Sequence, residues 1–574
     1  MSVAEHLRLK DSGITIFREN GGNNSTKYNW RRKMSSHPDW YNNVYTHSWD
    51  YKAQTIAGHF PDAQAIFGLQ LIGKSAKTNQ HNFNDWGYNQ SKWWDGVHQN
   101  LAGSGIVNPS GGGLALAEGN PELYLMDWPA DSTVEIFDLW FGENGLGLDQ
   151  NQFAYWCMDN EPSIWEGTHD DIAKESDTAE DYFQKYLKVA KAARAKFPAI
   201  KLIGPILANE WQWYNWHNKR VAYKGETYST LEYFILRIGE EQKATGIRLL
   251  DVLAIHFYPG NTNVFEVVQF HRVFFDQSYH YPDANGVKTI NGGWDNSITT
   301  EYIFKRALGW MEKHIGEDHK VGLGMTETGV NITDQNGVAV WYASTLGEFM
   351  KYNVEIFTPW SWQPAMWEVV NVFTGLSYDT YYDAVSNNEE LVSAYTTADL
   401  AKAKVTSILV NRSTESAQDV ILNMEGRYVD KGSVKAYQLS NLGREETFKS
   451  DIDNALIETN VKSSSSAITI TMPPLSVVAI TFNTSTEVLT GFQAPFRSNT
   501  FRVYPSPCQS GFLTIEYDDV QAKHISLFSA DGKEIRYIAN PSHEIDLRHL
   551  APGLYFLHIN SDKGTFAERI LINY

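Results

Sequence analysis

The chain has 574 residues, 42% of them hydrophobic and 20% charged, and its formal net charge is −20 at pH 7. This length predicts two or three domains rather than one. The charge argues against nucleic acid or an anionic membrane as the main partner, because both are bound through basic surfaces. Its two cysteines, Cys157 and Cys508, exclude a disulfide framework and a thiolate metal cluster, and we expect no membrane span.

Residues 10–370 alternate short apolar runs with amphipathic helical segments, which predicts parallel strand–helix units. Ser229 and Glu232 have the spacing of a helix N-terminal capping box, and Gly246 is a natural helix end. The predicted strands are 13–20, 64–71, 134–141, 153–161, 200–207, 250–259, 320–328 and 354–362, of which 134–141 has the weakest pattern. They fit an α/β fold of the (β/α)₈ barrel type better than an open sheet.

From about residue 400 onward, apolar and polar residues alternate one by one between turns, which is typical of antiparallel β-structure. We therefore predict four regions along the chain. They are a (β/α)₈ catalytic barrel over 1–375, an antiparallel β-sandwich packed on the barrel over 376–483, a polar linker over 484–498 and a small all-β C-terminal domain over 499–574.

Many of the nineteen tryptophans and thirty tyrosines stand among polar residues. Examples are SKWWDG at 91–96, WQWYNWHN at 211–218 and WSWQPAMW at 360–367. Flat rings with a hydrogen-bonding edge suit ligands that have apolar faces and hydroxyl rims, as sugars do. The pattern favours sugar stacking for the set as a whole, although packing in the core or in loops remains the alternative for any single ring.

Two glutamates stand where strands of the predicted barrel end, which is where barrel enzymes carry their functional groups. Glu161 closes the run 153–161, and Glu327 lies near the end of 320–328. Alternation along a strand places His256 and Tyr258 on one face, directed into the barrel mouth. A protonated and an ionised carboxyl from different strands are what glycoside hydrolysis requires. Structural roles at strand ends are the alternative for each glutamate taken alone.

Four motifs carry a resemblance to a known family. DNEPSIWEGTH at 159–169 resembles the acid/base segment of glycoside hydrolase family 44, a group of retaining endo-β-1,4-glucanases and xyloglucanases. GGNNSTKYNWRRKMSSHPDWYNN at 21–43 resembles the opening motif of that family, and LDVLAIHFYPG at 250–260 and GMTETG at 324–329 resemble later landmarks. Thr328 departs from the pattern, because the family usually has a tyrosine after its nucleophile.

The resemblance implies a role for each matching residue. Glu161 would be the general acid/base, Glu327 the nucleophile, and Tyr258 would steady the charge of Glu327. Asn24 and Asn160 would bind sugar hydroxyls. The predicted substrate-binding residues are Asn24, Trp30, Asn160, His256, Tyr258, Trp360 and Trp362.

The expected activity is retaining, endo-acting hydrolysis of β-1,4-glucan backbones such as xyloglucan, mixed-linkage glucan or soluble cellulose. The same scaffold acting on mannan, xylan or galactan is one alternative, and a non-catalytic polysaccharide-binding or adhesion protein is another. We expect no required cofactor. The family resemblance leaves structural calcium open, with candidate oxygen ligands at 127–133 and 170–177, although solvated acidic loops explain both stretches as well.

The C-terminal region resembles the sorting domain of the type IX secretion system of Bacteroidetes. The matching pieces are VYPSPCQSG at 503–511, ISLFSADGKEI at 525–535, IDLRHLAPGLYFLHI at 545–559 and AERILINY at 567–574. A sugar-binding or purely structural sandwich is the alternative. The resemblance implies the type IX secretion machinery as a partner and a secreted or surface-attached protein, here without its signal peptide. We expect a monomer.

Overall fold

The computed structural model describes most of the chain, and the part that it describes divides into two compact units. The described residues are 9–10, 12–19, 21–35, 45–78, 101–110, 115–173, 176–289, 299–360, 363–399, 401–440, 442, 456–485, 501–517, 522–530, 532–561 and 564–573. The first unit comprises 1–420, 435–461 and 470–481, and the second comprises 421–434, 462–469 and 482–574.

A parallel sheet of seven strands forms the centre of the first unit. In both chain and spatial order the strands are β1 (Ile16–Arg18), β2 (Gln64–Leu69), β3 (Tyr155–Met158), β4 (Lys201–Leu207), β5 (Val252–Phe257), β6 (Gly322–Thr328) and β7 (Ile356–Phe357). Nearly every residue of β2 to β6 is buried, as expected of a parallel sheet covered on both faces. The sheet curves into a nearly closed barrel, which confirms the predicted fold class.

Helices follow and cover these strands. They are α1 (Trp49–His59), α2 (Ala130–Val134), α3 (Ile136–Phe141), α4 (Trp165–Thr168), α5 (Ala179–Lys196), α6 (Glu210–Tyr214), α7 (Thr230–Thr245), α8 (Val264–Val267), α9 (Ile303–His314), α10 (Gln335–Lys351) and α11 (Pro364–Leu376). The predicted start of α7 is confirmed, since the Ser229 side chain accepts from the backbone N–H of Glu232. Gly246 ends this helix at φ 70°, a conformation that glycine adopts without steric cost. None of the described helices is both long and apolar enough to cross a membrane.

The prediction of a strand over 134–141 is wrong, because this stretch belongs to α2 and α3. Its buried residues are Val134, Ile136, Phe137 and Trp140, and their separations of three (134 to 137, 137 to 140) and four (136 to 140) are helical spacing rather than alternation. Among the described residues the sheet therefore has seven strands, with β1 and β7 at its two ends. A cavity of about 470 Å³ is lined by side chains of these two strands and of α10 and α11.

Antiparallel strands follow the barrel. They are β8 (Thr380–Tyr382), β9 (Val392–Ala398), β10 (Lys404–Asn411), β11 (Gln418–Asn423), β12 (Tyr428–Val429), β13 (Lys435–Leu439), β14 (Ile457–Thr459), β15 (Lys462–Ser463), β16 (Ala467–Met472) and β17 (Ser476–Ser485). One sheet has the order β8-β9-β10-β17-β13-β14, with β12 paired to β17, and a smaller one has the order β11-β16-β15. Within the first unit, Tyr395 of β9 packs on α10 at Gly347, where an added Cβ would lie 2.3 Å from the tyrosine ring.

The C-terminal region is all-β, as predicted. Its strands are β18 (Phe501–Tyr504), β19 (Phe512–Tyr517), β20 (Ala522–Ser529), β21 (Glu534–Ala539), β22 (Glu544–Asp546), β23 (Gly553–Ser561) and β24 (Gly564–Ile572). They form two sheets, β18-β19-β22 and β21-β20-β23-β24. Leu513, Ile525, Leu557 and Ile570 lie in a core made of residues from these strands and their turns.

Candidate active site

Glu161 is held at a strained corner directly after β3. Asp159 and Glu161 both have left-handed backbone conformations, with φ 69° and φ 44°. For residues other than glycine such conformations cost about 1–3 kcal/mol each and persist only where the surroundings fix them. The Asp159 carboxylate supplies that fixation, because it accepts hydrogen bonds from the Thr26 hydroxyl at 2.5 Å, the Leu71 N–H at 2.6 Å and the Asn160 N–H at 2.8 Å.

Glu327 lies near the end of β6 and is 5% exposed. The pairing register between β5 and β6 shifts between Met325 and Glu327, an irregularity of the kind that redirects side chains next to active sites. One carboxylate oxygen accepts from Arg18 Nη1 at 2.5 Å, and the other accepts from the Tyr258 hydroxyl at 2.9 Å. The carboxylate is therefore fixed in position from both sides.

The two glutamates meet across the barrel mouth with His256 between them. An oxygen of Glu161 and an oxygen of Glu327 lie within 4.8 Å of one another. His256 Nδ1 is 2.9 Å from Glu161 Oε1 and 3.5 Å from Glu327 Oε2, and its Nε2 is 3.1 Å from the Thr326 hydroxyl. The structure thus brings together the pair that the sequence predicts.

The surroundings move the two carboxyl pKa values in opposite directions. Burial raises the pKa of Glu161; the charge of Glu327 adds to this effect, and His256 and Arg18 oppose it. Burial acts in the same sense on Glu327. There, however, the proximity of His256 and Arg18 and the hydrogen bonds from Arg18 and Tyr258 prevail, so the pKa of Glu327 lies below its ordinary value. Opposed shifts of this kind favour Glu161 as the proton carrier and Glu327 as the ionised partner.

Asn160 connects the loop after β1 to Arg18, which in turn holds Glu327. Its Nδ2 donates to Asn23 Oδ1 at 3.0 Å, and its Oδ1 accepts from Arg18 Nη2 at 2.9 Å. Asn24 lies next to Asn23 in a short helical turn and is 5% exposed. Both predicted asparagines therefore lie on the side of the site formed by the loops after β1 and β3.

The predicted aromatic residues have different environments. Trp360 is 48% exposed, and its ring lies against Gly22, where an added Cβ would be 2.8 Å away. Trp30 corrects the prediction, because it is buried against Trp128 and its indole N–H donates to the Ser132 carbonyl. It therefore presents no open face to a sugar. Trp362 and the stretch 82–100 lie outside the described residues.

Trp213 and Trp216, in the aromatic stretch 211–218, are also core residues rather than stacking surfaces. Trp213 is fully buried and its N–H donates to the carbonyl of His256, whereas Trp216 stacks on Tyr182. His256 is itself fully buried. It contacts the two catalytic candidates as a buried side chain and does not lie in an open cleft.

Arg18 is a site residue that the sequence reasoning missed. It ends β1, is buried with Glu327, and donates to Glu327, Asn160 and the carbonyl of Thr326. A cation at the carboxyl end of a predicted barrel strand, in ITIFREN at 14–20, was the available signal. The distance along the chain between Arg18 and its partners concealed the pairing.

Among the described residues, one group of side chains has metal-ligand spacing, namely Glu161, His256 and Glu327. The charge of Glu327 is already compensated by Arg18. In the acidic stretch 170–177, the Asp171 carboxylate accepts from Lys27 and from the Tyr124 hydroxyl. Structural calcium stays a prediction.

Two family models match parts of the chain. Residues 33–261 match the family model of glycoside hydrolase family 44, and residues 502–573 match the secretion system C-terminal sorting domain. The second match confirms the sorting domain predicted from the sequence. A sorting domain of this type implies a protein that is secreted or attached to the cell surface.

Two curated relatives show distant similarity. Beta-mannanase/endoglucanase A of Caldicellulosiruptor saccharolyticus is 22% identical over 528 residues, which are 82% of this chain and 37% of that protein. Endoglucanase A of Paenibacillus lautus is 23% identical over 355 residues, 57% of this chain and 47% of that protein. The chain thus spans less than half the length of the curated relatives it matches.

Solved structures share the fold. The bifunctional glucanase-xylanase CelM2 from a metagenome library superposes with a TM-score of 0.66 at 20% identity, over 84% of this chain and 94% of that chain. A Paenibacillus polymyxa xyloglucanase of family 44 superposes with a TM-score of 0.63 at 16% identity, over 83% and 94%. These likenesses show a shared fold, and the family-model matches are to glycoside hydrolase family 44 over residues 33–261 and to the secretion system C-terminal sorting domain over residues 502–573.

Proposed function

We propose that the protein is a secreted, retaining, endo-acting glycoside hydrolase that cleaves β-1,4-glucan backbones such as xyloglucan, mixed-linkage glucan or soluble cellulose. The observation that carries the proposal is the pair Glu161 and Glu327, whose oxygens lie within 4.8 Å and whose pKa values shift in opposite directions. Retaining enzymes hold their carboxyl groups about 5–5.5 Å apart, whereas inverting enzymes leave about 6.5–9.5 Å for a water molecule.

In the first step Glu161 donates its proton to the glycosidic oxygen while Glu327 attacks the anomeric carbon. The leaving chain departs as an alcohol, and a glycosyl ester of Glu327 forms. The negative charge on Glu327 is then lost, so that Glu161 ionises more readily. In the second step Glu161 takes a proton from water, the water oxygen attacks the anomeric carbon, and Glu327 leaves as a carboxylate.

The neighbouring residues support these steps through their contacts. Arg18 and the Tyr258 hydroxyl donate to the Glu327 carboxylate and stabilise its charge before attack. They stabilise the same charge again when Glu327 leaves as a carboxylate in the second step. His256 orients Glu161. Trp360 offers a partly exposed ring for sugar stacking, whereas Asn160 and Asn24 are buried beside the site, where the Asn160 amide joins Arg18 to Asn23.

A substrate panel tests the proposal. Purified protein is incubated with xyloglucan, mixed-linkage glucan, soluble cellulose, mannan, xylan and galactan, and reducing ends are counted. Early products from the best substrate are analysed for their anomer by NMR, with β-products expected. Glu161→Gln and Glu327→Gln serve as matched inactive controls, and a 2-fluoro glycoside is expected to label Glu327. Label on another residue, or undiminished hydrolysis by either variant, would refute the assignment.

Another β-linked polysaccharide is the second candidate substrate. It is favoured by the names of two relatives, a beta-mannanase/endoglucanase and a glucanase-xylanase. Hydrolysis of mannan or xylan without hydrolysis of any glucan would select it over the first. A non-catalytic binding protein is disfavoured, because both carboxyls are present and close together.

A further inference from the structure

Asp159 lies two residues before the acid/base candidate and belongs to no step of the proposed reaction. We propose that Asp159 is a positioning residue, whose ionised carboxylate fixes Glu161 and the Asn23–Asn24 turn in one rigid arrangement. It thereby sets the acid limb of the pH–activity profile, which is the fall in kcat as pH decreases. The inference rests on the proposed function for its kinetic consequence. Its structural part stands on contacts alone.

The first argument is the number of segments that the carboxylate joins. Thr26 follows β1, Leu71 follows β2 and Asn160 follows β3, and all three donate to Asp159. Asp159 is 2% exposed, so water does not replace a donor that is lost. One buried side chain thus connects the carboxyl ends of three neighbouring barrel strands.

The second argument is what these segments carry. Asn160 lies between the two left-handed residues and bridges Asn23 and Arg18 through its amide. The backbone of Thr26 closes the turn that contains Asn23 and Asn24. Loss of the carboxylate would therefore loosen both Glu161 and the turn beside it. A displacement of about 1 Å at a reacting group can cost about 10²-fold in rate.

The third argument is the titration of this corner. Burial raises the pKa of Asp159 to about 6, although its donors oppose the shift. Among the described residues, Cys157 on β3 and Tyr182 on α5 interact with its charge, and burial raises the pKa of both, so they are neutral near pH 6. Protonation of Asp159 gives its carboxyl group an O–H donor, although three donors already point at that group. Because the pKa of Glu327 lies below its ordinary value, Asp159 gains its proton at higher pH than the nucleophile does.

The test compares kcat and KM between pH 4 and 9 for four proteins acting on xyloglucan. They are the wild type, Asp159→Asn, Thr26→Val and the control Asp251→Asn. Asp251 is also a buried acceptor of a backbone N–H, from Leu202, but it lies at the opposite end of the barrel strands.

The wild type should lose kcat below about pH 6. Asp159→Asn should lower kcat by about 10²-fold with KM changed less than about threefold, and should lack the limb near pH 6. Thr26→Val should move that limb to higher pH, because the hydroxyl lowers the pKa of Asp159. Asp251→Asn should keep the wild-type kcat and limb.

An unchanged limb in Asp159→Asn, or in Thr26→Val if the first variant does not fold, would overturn the inference. Should the wild type hydrolyse no glucan, the proposed function fails separately. Hydrogen exchange then decides the structural part. Faster exchange over 21–28 and 159–165 in Asp159→Asn and Thr26→Val, but not in Asp251→Asn, supports the inference, and unchanged exchange contradicts it.

Discussion

Removal of Arg18 is the perturbation that most directly examines how the nucleophile is held. In Arg18→Met the side chain keeps similar bulk, but the guanidinium that contacts Glu327 at 2.5 Å and Asn160 at 2.9 Å is lost. The Arg18 and Glu327 side chains are 7% and 6% exposed, so the carboxylate would remain buried without its cation. Removing one partner of such a pair costs about 3–5 kcal/mol.

The rate should fall accordingly. Each ~1.4 kcal/mol corresponds to a factor of ten, so full expression of that cost in the transition state predicts a loss in kcat of about 10²-fold to about 4 × 10³-fold. The pKa of Glu327 should also rise towards that of Asp159, which makes the acid limb of Arg18→Met steeper below about pH 6. Arg18→Lys keeps the charge but offers one compact ammonium in place of a planar fork, and should lose about tenfold.

The assay compares a soluble glucan with an aryl β-cellobioside whose leaving group needs no proton. Arg18→Met should be impaired on both substrates, because the defect lies in the attacking group. A variant of the acid/base should recover on the activated substrate instead. Recovery of Arg18→Met on the aryl substrate, or a kcat within about threefold of the wild type, would refute the reasoning that Arg18 stabilises the nucleophile.

Three other changes have defined outcomes. Glu161→Gln should lose about 10²–10⁴-fold in kcat on glucans and regain most of it on the aryl substrate, as steady-state kinetics would show. Tyr258→Phe removes the donor at 2.9 Å from Glu327 and should cost about tenfold in kcat. The pKa of Glu327 should rise, which makes the acid limb of the measured pH–rate profile steeper. Gly347→Ala forces a methyl group against the Tyr395 ring and should lower the free energy of unfolding by about 1–3 kcal/mol, with kcat of the folded fraction unchanged; a wild-type melting temperature would contradict it.

The principal carboxyls were predictable because their signals are local. Glu161 and Glu327 each end a buried apolar run, and barrel geometry brings the carboxyl ends of parallel strands to one mouth. Alternation along one strand likewise placed His256 beside Tyr258. Neither inference required knowledge of how distant segments pack.

The errors arose where tertiary contacts decide. Arg18 belongs to the site because its side chain meets Glu327 of β6, and its place at the end of a predicted strand does not by itself reveal a partner so distant along the chain. Trp30 and Trp213 stand among polar residues in the sequence, yet the fold buries their rings and satisfies their N–H groups with carbonyls. At 134–141 a short apolar run is compatible with a strand or a helix, and an eight-stranded barrel favours the strand, whereas the structure has helices there.

The ionised carboxylate of Asp159 should lower the free energy of unfolding at neutral pH. Its pKa of about 6 in the folded protein exceeds the ordinary value of 3.8, so folding favours the protonated form. The associated stability is fully present below the unfolded pKa and is lost as pH rises through about 6. Two pKa units correspond to about 3 kcal/mol.

Denaturant unfolding at pH 4 and pH 8 measures this loss. The wild type should lose about 2 kcal/mol more than Asp159→Asn does between the two pH values, since asparagine does not titrate and the unfolded carboxyl is already partly ionised at pH 4. Equal losses in the two proteins would contradict a raised pKa at this position. If the difference appears together with the slower turnover of the variant, then the ionised carboxylate that orders the site is also the group that destabilises the fold at neutral pH, as expected where strain is kept for function.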